Sequence, residues 1–280
     1  MNVKICTKLD ISEKKRTLLC QNRTEMRVFN ICFSVFVMLT YFAALPAAAQ
    51  NQQPSAATAA RPTTGIPTPR SEWLGSFHGI TVSGHMQVRL IKNAVEEGPR
   101  ITFDPKGEFS TKFKAAVDKN GILRIEEPVD PRRTTVTEVT VWCNDISSLS
   151  VAAAELTFDT PIARDMFDLE VTGGANVRAR FDVDDLSIVE TGRSSLVVEG
   201  RAKYLTLDIS TAKFDGSQLQ TTASDIEASH AAEVHIAVSE RLRGTTSTAA
   251  KILYTGKPSL IRARTTMFGG EIAQSENRVE

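Results

Sequence analysis

Apolar and polar residues alternate along the chain from about residue 73 onward, which is the pattern of half-buried β-strands. The alternation runs through Ile80–Leu90 and returns at Val136–Trp142. Between these runs, Asn120-Gly121 separates two shorter alternations, and both residues tolerate the positive φ angles of a tight hairpin turn. No clear helical periodicity follows residue 73. The pattern predicts an all-β domain over residues 73–273, followed by a tail of residues 274–280.

A repeat of nineteen residues begins after about residue 145. Its clearest element is a column of hydroxyl residues separated by 19, 19, 19, 18 and 19 positions. Two mostly apolar columns keep the same phase, one five residues before the hydroxyl and one four to six residues after it. An earlier turn, Leu149 to Leu156, fits the frame without the hydroxyl, so the chain holds about seven copies. The hydroxyl column is Thr172, Thr191, Ser210, Ser229, Ser247 and Thr266. The column before it is Phe167, Leu186, Leu205, Ser224, Leu242 and Ile261, and the column after it is Val177, Leu196, Phe214, Val234, Ile252 and Ile272.

A nineteen-residue unit with two short strands cannot form a core of its own. Parallel stacking of the copies pairs each strand with its counterpart about 4.8 Å away and joins the inward side chains into one core. The repeat therefore predicts a β-solenoid with rungs of about nineteen residues. We expect the hydroxyls to bond the local backbone at a bend, although a hydroxyl-lined binding strip is the alternative. Gly173, Gly174 and Gly192 suit bends that need positive φ.

The residues before the solenoid have the pattern of an exported protein. Residues 26–49 contain Arg27, an apolar stretch from Val28 to Leu45 and then Ala47-Ala48-Ala49, which together predict a signal peptide cleaved before Gln50. An uncleaved membrane anchor is the alternative, since about 18 apolar residues can just span a bilayer. Residues 1–25 are predicted to be a non-structural extension upstream of a true start at Met26. Residues 50–72, rich in Pro, Ala, Thr and Gln, are predicted to be a disordered linker.

Charge and cysteine content exclude several classes of function. Residues 50–280 carry 26 Lys and Arg against 30 Asp and Glu, and this small negative charge argues against nucleic acid or anionic lipid as the main partner. Three of the four cysteines precede residue 50. Only Cys143 remains in the folded part, where we expect it to be a buried small hydrophobe; neither an intramolecular disulfide nor a cysteine-based metal site can form there. No cofactor is predicted.

Clusters of ionisable residues are the remaining candidates for chemistry. The aspartates between predicted strands could be the acid and base of a β-helix polysaccharide hydrolase or could bind calcium, but they more often make hydrogen bonds at bends. The histidines are expected to be surface residues or too far apart for a shared metal. Repeated outward cations could form a binding face, and no site is assigned to any of them. The aspartates are Asp182, Asp184, Asp185, Asp208 and Asp225, and the histidines are His78, His85, His230 and His235. The cations are Arg178, Arg180, Arg201, Lys203, Lys213 and Lys251.

Several short motifs resemble the head GIN domain, a family described as auto-transporter adhesins of bacterial envelope proteins. They are Phe77–Gly84 (FHGITVSG) followed by Val88 and Leu90, Asn120–Ile125 (NGILRI), Thr172–Val177 (TGGANV) and Tyr254–Pro258 (YTGKP). The resemblance covers roughly residues 73–273. It implies a right-handed parallel β-helix without established enzymatic activity, and it supplies no catalytic residues. Ser229-His230 and Ser247-Thr248 depart from the family pattern, which often has Ser-Gly at these bends.

The combined expectation is an exported, non-enzymatic β-solenoid that serves adhesion or surface interaction at the bacterial cell envelope. Its expected location is the periplasm, the outer-membrane surface or the extracellular space. The expected partner is a glycan or protein at the cell surface, and end caps or a homo-oligomer would protect the exposed solenoid edges. The alternatives are a polysaccharide hydrolase that uses the rung aspartates and a structural protein of the periplasm.

Overall fold

The computed structural model describes residues 69–93, 97–104, 112–128, 135–266 and 268–275. These residues form strands joined by turns and bends, and no helix occurs among them. The predicted signal peptide and residues 50–68 of the predicted linker lie outside the described residues. The first strand covers the last three residues of that predicted linker. The strands are β1 (Arg70–Trp73), β2 (Gly79–Gly84), β3 (Met86–Lys92), β4 (Arg100–Asp104), β5 (Lys114–Val117), β6 (Ile122–Glu127), β7 (Thr137–Cys143), β8 (Ser148–Ala152), β9 (Glu155–Phe158), β10 (Ile162–Thr172), β11 (Asn176–Thr191), β12 (Ser195–Ser210), β13 (Lys213–Ser229), β14 (Glu233–Ser247), β15 (Ala250–Thr255), β16 (Leu260–Thr266) and β17 (Gly270–Gln274).

The predicted β-solenoid is confirmed, with about seven turns from β8 to β17. Each turn consists of a first segment, a bend and a second segment, and parallel pairing joins every segment to its counterparts above and below. The stacked first segments form one sheet, here called sheet A, and the stacked second segments form sheet B. The long strands β11 to β14 run from sheet B of one turn into sheet A of the next.

The hydroxyl column is aligned along the stack, as the period predicts. Thr191 pairs with Ser210, Ser210 with Ser229, and Ser247 with Thr266. Their hydroxyls are half-buried and reach neighbouring turns: Ser229 Oγ donates to the Ile209 carbonyl at 3.5 Å. This geometry supports the backbone-bonding interpretation of the column. The apolar column of sheet B is equally regular, because Val177, Leu196, Phe214, Val234, Ile252 and Ile272 are consecutive partners.

The bends keep a left-handed backbone whether or not glycine is present. Gly173 and Gly174 have φ values of +65° and +78°, as expected for glycine bends. His230 and Ala231 take φ values of +53° and +59° at the equivalent bend of a later turn, and Thr248 does the same at +52°. The departures from the Ser-Gly pattern therefore change the residues of the bend without changing its backbone conformation.

The solenoid begins with two layers that lie in a different order in space than in the chain. β2 pairs in parallel with both β6 and β8, so the β2–β3 layer is inserted between the β6–β7 layer and the first nineteen-residue turn. The predicted hairpin at Asn120-Gly121 joins β5 to β6 in antiparallel pairing. The edge of β7 that does not pair with β3 pairs antiparallel with β4, and β4 pairs antiparallel with β1. These antiparallel strands cover the first end of the solenoid.

Candidate functional site

A polar groove runs across four successive turns at the corner where sheet B continues into sheet A. Its volume is about 670 Å³. We call it the corner groove. It is lined by Ala163, Arg164, Asp165, Asp182, Val183, Asp184, Arg201, Lys203 and Thr222. Its polar lining includes both acidic and basic side chains, which is the composition of a site for a polar ligand rather than for an apolar one.

The register of the solenoid brings these residues together. Ala163 lies opposite Asp182, and Asp182 lies opposite Arg201. Equivalent positions of successive turns therefore lie next to each other at this corner. Gly200 precedes Arg201 with a φ of +108°, and a Cβ added there would lie 2.1 Å from the carbonyl oxygen of Phe181. Only glycine allows this close approach of two turns. The backbone contact thus fixes Arg201 beside Asp182 at the rim of the groove.

One ion pair crosses the groove between adjacent turns. Arg201 Nη2 donates to Asp182 Oδ1 at 2.7 Å and Arg201 Nε donates to the same oxygen at 3.0 Å. Asp165 and Asp184 line the groove without a hydrogen bond or ion pair to the described part of the chain. Lys203 Nζ stands 5.3 Å from the ring centroid of Tyr204, which is 42% exposed and does not itself line the groove. The groove therefore presents the unpartnered carboxylates of Asp165 and Asp184 next to the cation of Lys203.

The structure separates the aspartates that the sequence grouped. Asp182 and Asp184 lie in the corner groove, whereas Asp225 accepts a hydrogen bond from Arg243 at 3.3 Å elsewhere on sheet A. Asp185 and Asp208 are exposed and do not line the groove. The expectation that these aspartates bond bends between strands is wrong for Asp182 and Asp225, because both lie within long strands and pair with arginines of the next turn.

All six predicted outward cations are exposed, and four of them form ion pairs across turns. Arg180 bonds Glu199 at 2.8 Å, and Lys213 and Lys251 lie 3.6 and 3.9 Å from glutamates of the following turn. Arg201 is the fourth and lies in the groove with Lys203. Arg178 is exposed on sheet B without an ion pair among the described residues. Most of this cationic pattern is therefore explained by contacts between turns, whereas Arg201 and Lys203 line the open space of the corner groove.

His78 and His85 lie at the surface, as the sequence predicts. His230 contacts Ser210 Oγ at 3.1 Å, while His235 contacts Glu233 at 3.2 Å. Among the described residues, no three His, Cys, Asp or Glu side chains converge closely enough to hold a metal ion. Within the same residues, no helix is long and apolar enough to cross a membrane.

Cys143 is buried, as expected, and its burial raises the pKa of the thiol to about 11. It lines a small cavity with Leu90, Ile146 and Phe158. The cavity has a volume of about 30 Å³, which is room for roughly two water molecules. This space is too small for an organic ligand, so the corner groove remains the candidate site.

Sequence reasoning missed three polar residues of the groove, Arg164, Asp165 and Thr222. Each is an ordinary polar residue when considered alone. The signal that could have found them is the repeat itself: Asp165, Asp184, Lys203 and Thr222 are spaced by nineteen residues and share one position of successive turns. A column of polar residues at one corner of a solenoid is a continuous surface strip.

Solved structures with a similar fold include proteins of Bacteroides and Parabacteroides species. The "putative adhesin" of Bacteroides fragilis matches with a TM-score of 0.66 at 15% identity, covering 74% of this chain and 96% of that protein. The "putative adhesin" of Parabacteroides merdae matches with a TM-score of 0.60 at 13% identity, covering 75% and 96%. A "putative lipid binding protein" of Parabacteroides distasonis gives a TM-score of 0.59 at 13% identity, covering 76% and 98%. At such identities the likeness establishes a shared fold.

None of the curated proteins compared with the chain is similar to it. The family model described as "Putative auto-transporter adhesin, head GIN domain" matches residues 76–258. This range includes the hairpin, the inserted layer and the solenoid turns through β15, and it is well over half of the chain. The protein therefore belongs to the head GIN domain family, as its motifs predict.

Proposed function

We propose that this protein is a non-enzymatic adhesion or surface-interaction module of the bacterial cell envelope. Membership of a family described as adhesins supports this role, as do the adhesin-named proteins that share its fold. The predicted signal peptide supports export to the periplasm, the outer-membrane surface or the extracellular space. Protease treatment of intact cells tests the location, since a domain at the outer surface is cleaved while a periplasmic one is protected until the outer membrane is permeabilised.

The corner groove is the proposed contact surface, and its extent across four turns is the observation that carries the proposal. Four layers at the spacing of paired strands span about 14 Å along the stack. Ion pairs between turns, such as Arg201–Asp182, hold the repeated side chains at fixed intervals. A surface with regular spacing and mixed charge suits an extended polymer, either a glycan or a segment of protein at the cell surface.

Binding measurements with charge-reversed variants test the groove. The purified protein is applied to a glycan array and to intact bacterial cells, and retention is compared with that of Asp184→Lys and Lys203→Glu. Both variants are expected to lose most of the retention, because each reverses a charge in the groove. Arg178→Glu is the control, since this exposed residue lies outside the groove. Equal loss in the control, or retention unaffected by the groove variants, would contradict the proposal.

A polysaccharide hydrolase is the second candidate, because Asp182 and Asp184 line the same groove. The pairing of Asp182 with Arg201 weighs against it, since an arginine occupies an oxygen that an acid or base would direct at the substrate. Release of reducing sugar from any bound polysaccharide distinguishes the two functions. Turnover that disappears in Asp184→Asn would establish the hydrolase, whereas retention without turnover supports adhesion. Absence of any ligand, together with a periplasmic location, would favour a structural role.

A further inference from the structure

The last turn of the solenoid exposes positions that every earlier turn buries. Ile261 is 44% exposed, whereas its column partners Leu242 and Leu205 are 0% and 2% exposed. Six of the seven residues of β16 are exposed, and Ile272 of β17 is half-buried. Within the described part of the chain, β16 pairs with β14 and β17 pairs with β15, so both strands have one edge without a strand partner. An open edge with apolar side chains is a site for pairing with another strand.

The opposite end of the solenoid is covered. Antiparallel β4 and β5 lie against the outermost layer and bring apolar side chains over its core. Ile101 is fully buried there, and the ring of Phe103 stacks on Phe113 with centroids 4.4 Å apart. Because this end is closed by antiparallel strands, it does not offer a parallel rung to the open end of another copy. Head-to-tail association into a filament is therefore disfavoured, and a closed pair is the remaining arrangement for copies of this chain.

The order of β16 and β17 on either side of the last bend fits such a pair. A two-fold axis through the bend, perpendicular to the stack, lays β16 of each copy antiparallel to β17 of the other. In every earlier turn, the residues that flank the bend on the inner side are buried, as Ala228 and Ala232 are. The corresponding residues of the last turn are Thr265 and Gly270. If Thr265 of one copy lies opposite Gly270 of the other, the inward side chains of both copies face the same interior.

This register places opposite charges across the interface. In this antiparallel register Thr265 lies opposite the partner's Gly270. Arg264 then lies opposite the partner's Glu271, and Ala263 lies opposite the partner's Ile272. Ala263 and Ile272 belong to inward columns, while Arg264 and Glu271 are exposed on the outer faces. The two-fold symmetry creates the charge pair twice. Phe268, which is 85% exposed, lies between the two strands, close to where this axis would pass.

We propose that the protein forms a two-fold symmetric dimer through the open edge of β16 and β17, with Arg264 paired to the partner's Glu271. Both strands lie after Pro258, beyond the residues that the family model matches. The dimer covers the apolar end of the core and leaves the corner groove of each copy accessible on the side of the stack.

Sedimentation equilibrium on the purified full chain tests this dimer. The unsubstituted protein is expected to sediment as a dimer that dissociates on dilution. Arg264→Glu is expected to weaken the dimer by about tenfold or more, because it creates two repulsive contacts. The double variant Arg264→Glu/Glu271→Arg is expected to recover most of the loss, since it restores both pairs with reversed sign. Glu271 also lies 3.9 Å from Lys251 within the same copy, so its replacement could affect the fold as well as the dimer. Urea unfolding of each variant therefore establishes that it is folded.

Arg262→Glu is the matched control. It changes the same charge on the same strand, but in this register Arg262 lies opposite the partner's Ala273. Its dissociation constant is expected to stay within about threefold of that of the unsubstituted protein. A monomer at all concentrations would overturn the proposal, and so would a dimer that Arg264→Glu leaves intact. Equal weakening by Arg262→Glu and Arg264→Glu, without recovery in the double variant, would overturn the register.

Discussion

Glu190 accepts a hydrogen bond from Ser194 at 3.1 Å through Oε1, while its Oε2 is buried without a hydrogen-bond partner. The glutamate occupies an inward column next to a bend, with Val171 and Ile209 as its partners in the adjacent turns. These neighbours offer no counter-charge. Burial therefore raises the pKa of the Glu190 carboxyl to about 8, although the Ser194 hydrogen bond opposes the shift.

The raised pKa makes the stability of the fold depend on pH. Between its ordinary pKa of 4.5 and about 8, Glu190 binds a proton in the folded chain but not in the unfolded chain. The free energy of unfolding should therefore fall as pH rises through this window, by up to about 1.4 kcal/mol per pH unit. Glu190→Gln keeps the shape without the ionisation and should lose this part of the dependence. Urea unfolding at pH 5, 6, 7 and 8 measures it.

The control for this prediction is Glu227→Gln, which removes an exposed carboxylate from the same sheet. Its free energy of unfolding should show the same pH dependence as that of the unsubstituted protein. If Glu190→Gln and the unsubstituted protein show parallel pH dependence from 5 to 8, Glu190 does not carry a raised pKa in the folded chain.

The solenoid was predictable because its signal repeats. The columns that contain Thr191 and Leu196 each have six members at nearly constant spacing. Because the two columns keep the same phase, they predict both the rung length and the parallel stacking. The inserted β2–β3 layer carries no such signal. Its segments lie outside the nineteen-residue frame, and their pairing with β6 and β8 joins parts of the chain about 40 and 70 residues apart.

The candidate site was predictable only in part. The sequence identifies four of the groove's charged residues as candidates: Asp182, Asp184, Arg201 and Lys203. It gives no reason to group these four in one groove and to leave out Asp208 or Lys213. The three-dimensional register decides this. Glu190 illustrates the same limit, because a charged residue is expected to face solvent, and only its position between Val171 and Ile209 in the stack shows that it faces the core.

Gly200 should be the least replaceable glycine at the groove. A Cβ at this position would lie 2.1 Å from the carbonyl oxygen of Phe181, and its φ of +108° disfavours other residues. Gly200→Ala is expected to lower the free energy of unfolding by roughly 2–3 kcal/mol. Gly174→Ala is the comparison, since a Cβ there meets nothing within 4 Å and its φ is +78°. Urea midpoints for the two variants measure the difference, and equal destabilisation would mean that the close approach to Phe181 does not matter.

The bend at His230 and Ala231 offers a substitution that should stabilise the protein. Ala231 is exposed and has a φ of +59°, which costs a residue with a Cβ about 1–2 kcal/mol. Ala231→Gly removes this cost but increases the entropy of the unfolded chain, so the expected gain is about 0.5–1 kcal/mol. Ala163→Gly, in an exposed strand position, should instead lose about 0.5–1 kcal/mol. A loss in both variants would show that the bend is not strained at Ala231.

Cys143 should be chemically inert in the folded protein. The thiolate is the reactive form, and burial raises the pKa of this thiol to about 11, so at pH 8 few molecules carry the anion. The cavity beside the residue is also too small to admit a reagent without opening of the fold. Iodoacetamide at pH 8 is expected to leave the peptide containing Cys143 unmodified in buffer and to modify it fully in urea, as read by mass spectrometry. Comparable rates of modification in the two solvents would mean that the segment from β7 to β10 opens readily, since only such opening exposes the sulfur atom.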